Sequence, residues 1–106
     1  MTEEQLIQDY ISQIIKDVDL AKEFTSYCEG SKISIQFKNR EAILYEWWLG
    51  KKQFYRAVFN GFYEPLSGEM LIEIGSDGMG GLVSSVVNII IKDWMKEQEN
   101  PSPEQK

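Results

Sequence analysis

The chain has no histidine and a single cysteine, Cys28, so its reactive side chains are carboxylates, lysines, tyrosines and that one thiol. Without an imidazole, Ser-His-Asp and Cys-His arrangements and histidine zinc sites are excluded. A lone cysteine also excludes an intramolecular disulfide or a cysteine-rich zinc site, in agreement with a reducing compartment. Cys28 reads as a small buried or half-buried side chain, because no histidine is present to activate it.

Paired carboxylates are the remaining route to acid–base chemistry, and Glu69 with Glu73 or Glu3 with Glu4 are the nominal pairs. Acids that alternate along a strand are more often a solvated face, so no catalytic residue and no enzyme activity are expected. The stretch GSDGMGG, residues 75–81, has the backbone freedom to cradle a phosphate before a helix. It lacks the ending of a P-loop and the spacing GxGxxG, and Asp77 would oppose an anion. The alternating oxygen ligands of a calcium loop are missing too. A strand-to-helix connection with Ser76 or Asp77 near the cap is the expectation, with no cofactor and no metal.

Lys51, Lys52 and Arg56 stand among Trp47, Trp48, Phe54 and Tyr55, a superficial match to a platform for nucleic-acid bases. Charge argues against it. The net charge is −6, with seven acids against two lysines in residues 1–30 and eight acids against three lysines in residues 63–106. Only residues 31–62 are basic, with six bases against two acids. An acidic chain is repelled by nucleic acid and anionic membrane and attracted to a cationic protein. The lysines then read as solubilising residues at a hairpin tip.

These residues need elements to hold them. At 106 residues the chain is sized for one domain with a two-layer core, expected over 1–99, followed by a solvated tail over 100–106 that contains Pro101 and Pro103. Thr2 with Gln5 three residues later fits a capping box. Ile7, Ile11, Ile14, Val18 and Ala21 then recur at spacings of four and three, which predicts an amphipathic helix from about residue 3 to about 28. Asp19 is placed to cap a short second segment and Gly30 to stop the helix.

From Lys32 the period changes to two, and three strands follow in succession, with turns at Asn39-Arg40 and Gly50-Lys51-Lys52. Met70, Ile72 and Ile74 mark a fourth strand, and an apolar stripe through Val83, Val86, Ile90 and Trp94 marks a last helix to about Gln98. The predicted fold is α+β: an N-terminal helix, a four-stranded antiparallel meander and a C-terminal helix, with both helices on one sheet face.

In the second of these strands Trp47 and Trp48 point to opposite faces. One tryptophan therefore needs cover from the loop Gly61-Phe62-Tyr63 or from another chain. An exposed patch of Leu44, Trp48, Phe54 and Val58, or their opposites, implies a partner.

Small size, acidity and an aromatic patch together resemble, at the level of class, the immunity proteins of bacterial contact-dependent inhibition and related polymorphic-toxin systems. That resemblance implies a protein that neutralises one cognate, cationic, nuclease-type toxin domain by occluding its active site. The contact residues expected from the chain's own pattern are Glu46, Trp48, Phe54 and Tyr63, with Glu64, Glu69, Glu73 and Asp77 as acidic contacts. The alternatives are an acidic secretion chaperone or adaptor that dimerises through its sheet or through Leu82–Met95, and a phage-type inhibitor of a host nucleic-acid-binding protein. Met1-Thr2-Glu3-Glu4 is acidic where a secretory signal is basic, and no apolar run spans a bilayer, so the expected location is cytoplasmic, with a protein partner and no membrane.

Overall fold

The computed structural model describes residues 2–63 and 70–99. They form helices α1 (Glu3–Ile14) and α2 (Val18–Lys22), strands β1 (Phe24–Glu29), β2 (Lys32–Phe37), β3 (Arg40–Leu49), β4 (Lys52–Asn60) and β5 (Met70–Glu73), and helix α3 (Gly78–Glu99). The strands make one antiparallel sheet in the order β1-β2-β3-β4-β5. None of the described helices is long and apolar enough to cross a membrane.

The α+β class holds, with five strands where the period analysis counts four. The difference lies in residues 15–29. Thr2 caps α1 as its sequence suggests, its hydroxyl accepting from the Gln5 amide at 3.0 Å. The first helix then stops at Ile14, and Asp17, not Asp19, caps α2 by accepting from the amides of Asp19 and Leu20. From Phe24 the chain is extended, because FTSYCE alternates between buried Phe24 and Ser26 and exposed Thr25 and Tyr27. Gly30, expected to end a helix, instead turns a hairpin.

The three hairpins that join β1 to β4 have two-residue loops, and each loop begins with a positive φ: Gly30 at 61°, Lys38 at 54° and Gly50 at 63°. Lysine is the costly choice at such a position. Its side chain is well used there, since Nζ meets a Glu23 carboxylate oxygen at 3.1 Å and lies 5.6 Å from the centroids of both the Phe37 and Trp94 rings.

Cross-strand pairing fixes two faces. Phe24, Ile33, Ile35, Phe37, Ala42, Leu44, Tyr55 and Ala57 share one face and form a single core with Ile7 and Ile11 of α1 and Leu82, Val83, Val86, Val87 and Ile90 of α3. Both long helices therefore lie on one side, as their apolar stripes require. The stripe considered for a dimer, Leu82 onward, is consumed in this core.

Residues 75–81 also differ from expectation, since α3 starts at Gly78 and takes in Gly80 and Gly81. A Cβ on Gly80 would come within 2.9 Å of the Tyr10 ring, so glycine there lets the first turns of α3 close on α1.

At the opposite end of α3 the core contains charge. Arg40, 2% exposed, donates from Nε to Asp93 Oδ2 at 2.8 Å and from its second terminal nitrogen to Glu97, while its other terminal nitrogen donates to Asn39 Oδ1 at 3.0 Å. Asp93 Oδ2 also accepts from the Tyr63 amide at 2.9 Å. Burial opposes the guanidinium charge, but the hydrogen bonds it donates to Asp93 and Glu97, together with their negative charges, outweigh burial and raise the pKa. Arg40 is thus a strand residue that ties β3, α3 and the start of the loop after β4 together.

A half-buried thiol and a buried phenol near the other end of the sheet set an alkaline limit. Desolvation first, then Glu3 and Glu4, raise the Cys28 thiol above 9.0. Desolvation first, then Glu46, Glu3 and Cys28, raise the Tyr55 phenol above 10.0. The folded chain favours both neutral forms, so their contribution to stability is full below the unfolded pKa values and is lost as pH rises through the raised folded ones. The urea midpoint should therefore hold steady up to about pH 9 and then fall, and Tyr55→Phe with Cys28→Ser should flatten the fall. An equally steep fall in the double variant would contradict this.

Candidate protein-binding surface

The β3–β4 hairpin outruns the helix layer. β3 alternates in burial up to Tyr45, after which Glu46, Trp47, Trp48 and Leu49 are all exposed, whichever face they point to. Trp48 is 55% exposed and Leu49 58%. Two adjacent tryptophans can both be wet only where the sheet has no second layer, which answers the question of cover raised by their opposite directions. The loop Gly61-Phe62-Tyr63 does not provide it. Phe62 stacks edge-on against Phe59 at 5.2 Å and Tyr63 is anchored to Asp93, at the Arg40 end of β3 and about 27 Å from Trp48 by strand rise.

On the helix side of the hairpin, Glu46 is held from two directions. Ser31 Oγ donates to one carboxylate oxygen at 3.2 Å and Gln53 Nε2 to the other at 2.7 Å, while the Glu46 amide donates to the Ser31 carbonyl at 3.1 Å. Gln53 is also the cross-strand partner of Trp48. The carboxylate is therefore fixed beside an exposed indole. Glu3, at the start of α1, acts with Glu46 on Tyr55, so the acidic first turn of α1 lies within electrostatic reach of the same corner. Position on a strand places Glu46 with Trp48; that Glu3 of α1 acts on the same phenol as Glu46 has no local signal in the sequence.

Phe54 is on the other face. Its partner is Trp47, in an edge-to-face pair with centroids 6.2 Å apart, and its neighbour on β5 is Glu73. The expected patch of Leu44, Trp48, Phe54 and Val58 is thus divided by the register. Leu44 is buried under the helices opposite Ala57, and Trp48 stands beyond the helix layer. Phe54 and Val58 lie on the helix-free face with Ile43, Tyr45, Trp47 and Leu71. Arg56 crosses this face with its guanidinium 5.6 Å from the Tyr45 centroid.

Of the eight expected contact residues, Glu46 and Trp48 form one corner and Phe54 and Glu73 the reverse side of the same hairpin region. Asp77 is exposed just before α3, and Tyr63 is half-buried at the far end. Glu64 and Glu69, like the tail over 100–106, lie outside the described residues. Cys28 is half-buried with a raised thiol pKa, so it should alkylate slowly in the native protein and rapidly in urea. Equal rates with iodoacetamide would show it to be a reactive, accessible thiol.

Comparisons of the chain with protein-family models, with curated proteins and with solved structures found no match in any of the three.

Proposed function

We propose that the chain is a protein inhibitor that binds a cationic, nuclease-type toxin domain and occludes its active site, the role of the immunity proteins whose class it resembles. One observation carries this reading: an exposed tryptophan, Trp48, projects past the helix layer beside a carboxylate, Glu46, fixed by Ser31 and Gln53. An aromatic anchor beside a preorganised acid suits a basic enzyme surface, where the acid meets lysine or arginine and the indole supplies apolar area. The net charge of −6 adds long-range attraction.

The test is titration of the chain into the nuclease domain of the toxin encoded beside its own gene, with nucleic-acid cleavage as the readout. Cleavage should stop at one equivalent, and the affinity should fall as salt rises. Unchanged cleavage at excess chain would refute the proposal. A second reading, a dimeric secretion chaperone or adaptor, draws on the aromatic row Tyr45, Trp47 and Phe54 on the helix-free face. It requires a dimer by light scattering and binding of an unfolded client with weak salt dependence.

A further inference from the structure

Glu46 is a carboxylate with a fixed orientation and an unmatched charge. Ser31 Oγ donates to one of its oxygens at 3.2 Å and Gln53 Nε2 to the other at 2.7 Å, and both donors are neutral. Among the described residues no lysine or arginine pairs with it. A carboxylate has about four acceptor positions, two on each oxygen, so one on each oxygen is left for a further donor.

The strand register is the reason that no base of the chain meets this charge. Lys32 and Arg56 both pair with Tyr45, and Lys52 pairs with Leu49, which puts all three bases on the helix-free face. There Lys32 lies 5.8 Å from the Tyr27 centroid and Arg56 lies 5.6 Å from that of Tyr45. On the helix side of the same hairpin stand Glu46, Trp48 and Gln53, with Lys51 set apart in the turn. Trp48 is two residues from Glu46, roughly 7 Å along the strand, and is more than half exposed. Gln53 stands opposite Trp48 and is bonded to Glu46, which ties the ring and the carboxylate to one place.

The geometry points to an arginine side chain of the partner protein as the occupant of this corner: its guanidinium donates to both Glu46 oxygens and lays its plane on the Trp48 indole. A guanidinium is planar and weakly hydrated, so it gains from an oriented pair of oxygens and from a flat ring. A lysine fits less well, because its ammonium is a strongly hydrated point charge that gains little from either. An apolar anchor would cover Glu46 and leave its charge desolvated without a cation. The inference rests on the hairpin corner being the contact proposed above, and it adds the residue type that the partner must present.

The probes are two peptides of equal charge, hexa-arginine amide and hexalysine amide, titrated into the full isotope-labelled chain and followed by NMR. Equal charge makes the general attraction to an acidic chain common to both, so the difference reads the guanidinium. The Trp48 indole N–H and the Gln53 side-chain amide should shift at an about fivefold lower concentration of hexa-arginine than of hexalysine, or lower still. Glu46→Gln keeps the shape and removes the charge, and Trp48→Ala removes the ring. In each variant the preference, read on the Gln53 amide, should fall to within about twofold. Both substituted positions are exposed, so the fold should be retained. Equal shifts with the two peptides, a preference that survives Glu46→Gln, or no shift at either reporter would overturn the proposal. The toxin plays no part in this measurement. Peptides that fail while cleavage is still inhibited refute the arginine alone, and an arginine preference beside uninhibited cleavage refutes the inhibitor role alone.

Discussion

Arg40→Met should destabilise the fold by about 3–5 kcal/mol, the cost of stranding a buried acid. Arg40 and Asp93 are both buried and 2.8 Å apart, and the same carboxylate oxygen holds the Tyr63 amide. Methionine fills much of the arginine volume but leaves Asp93 with its charge and without its cation. If the cost is that stranded charge and not lost packing, Arg40→Met with Asp93→Leu should recover much of it, because a well-packed apolar pair can equal a buried ion pair. Urea denaturation of the two single variants and the double variant gives the coupling directly. Additive losses would show that the two residues act independently.

Gly61→Ala should cost about 2–5 kcal/mol, through a strained backbone and a steric overlap acting together. Gly61 has a φ of 80°, and a Cβ on it would overlap the Asn39 carbonyl oxygen. The clash is with main chain in the β2–β3 turn, so no side chain can swing aside. Relief requires the segment to lift off, and with it the Tyr63 amide leaves Asp93. The loss should appear both in the urea midpoint and as faster exchange of the Tyr63 amide. An unfolding free energy within about 0.5 kcal/mol of the parent protein's would mean that the loop accommodates the methyl group freely.

Both predictions concern residues whose roles the sequence conceals. Arg40 next to Asn39 reads as a turn residue, because a base between two strand patterns has no visible reason to be buried. Asp93 offered a faint signal, since it stands three residues after Ile90 in the apolar stripe of α3, where an acid needs a buried base. Periodicity located β2, β3, β4, β5 and α3 because each has one face in the core. It failed for residues 15–29, where helical spacing through Ala21 gives way within three residues to the alternation of β1.

For the surface, alternation along β3 was enough to send Trp47 and Trp48 to opposite faces and to put Glu46 with Trp48. It could not pair Phe54 with Trp47 and not Trp48. That depends on the loop between β3 and β4 being Gly50-Lys51, so that Leu49 faces Lys52 and every pair behind them is set. Tyr63 reads from the sequence as a contact residue near Trp48, yet its amide anchors it to α3 at the other end of the sheet.

The proposed inhibitor role depends on Trp48 more than on any other residue. The most direct measurement is calorimetric titration of the parent chain and Trp48→Ala against the neighbouring toxin's nuclease domain at low and high salt. Since Trp48 is over half exposed, its truncation should leave the unfolding free energy from urea denaturation within about 0.5 kcal/mol of the parent's while weakening binding by about 2 kcal/mol or more. Equal affinity of the two proteins for the toxin domain, with both folded, would contradict the assignment of the hairpin corner as the contact.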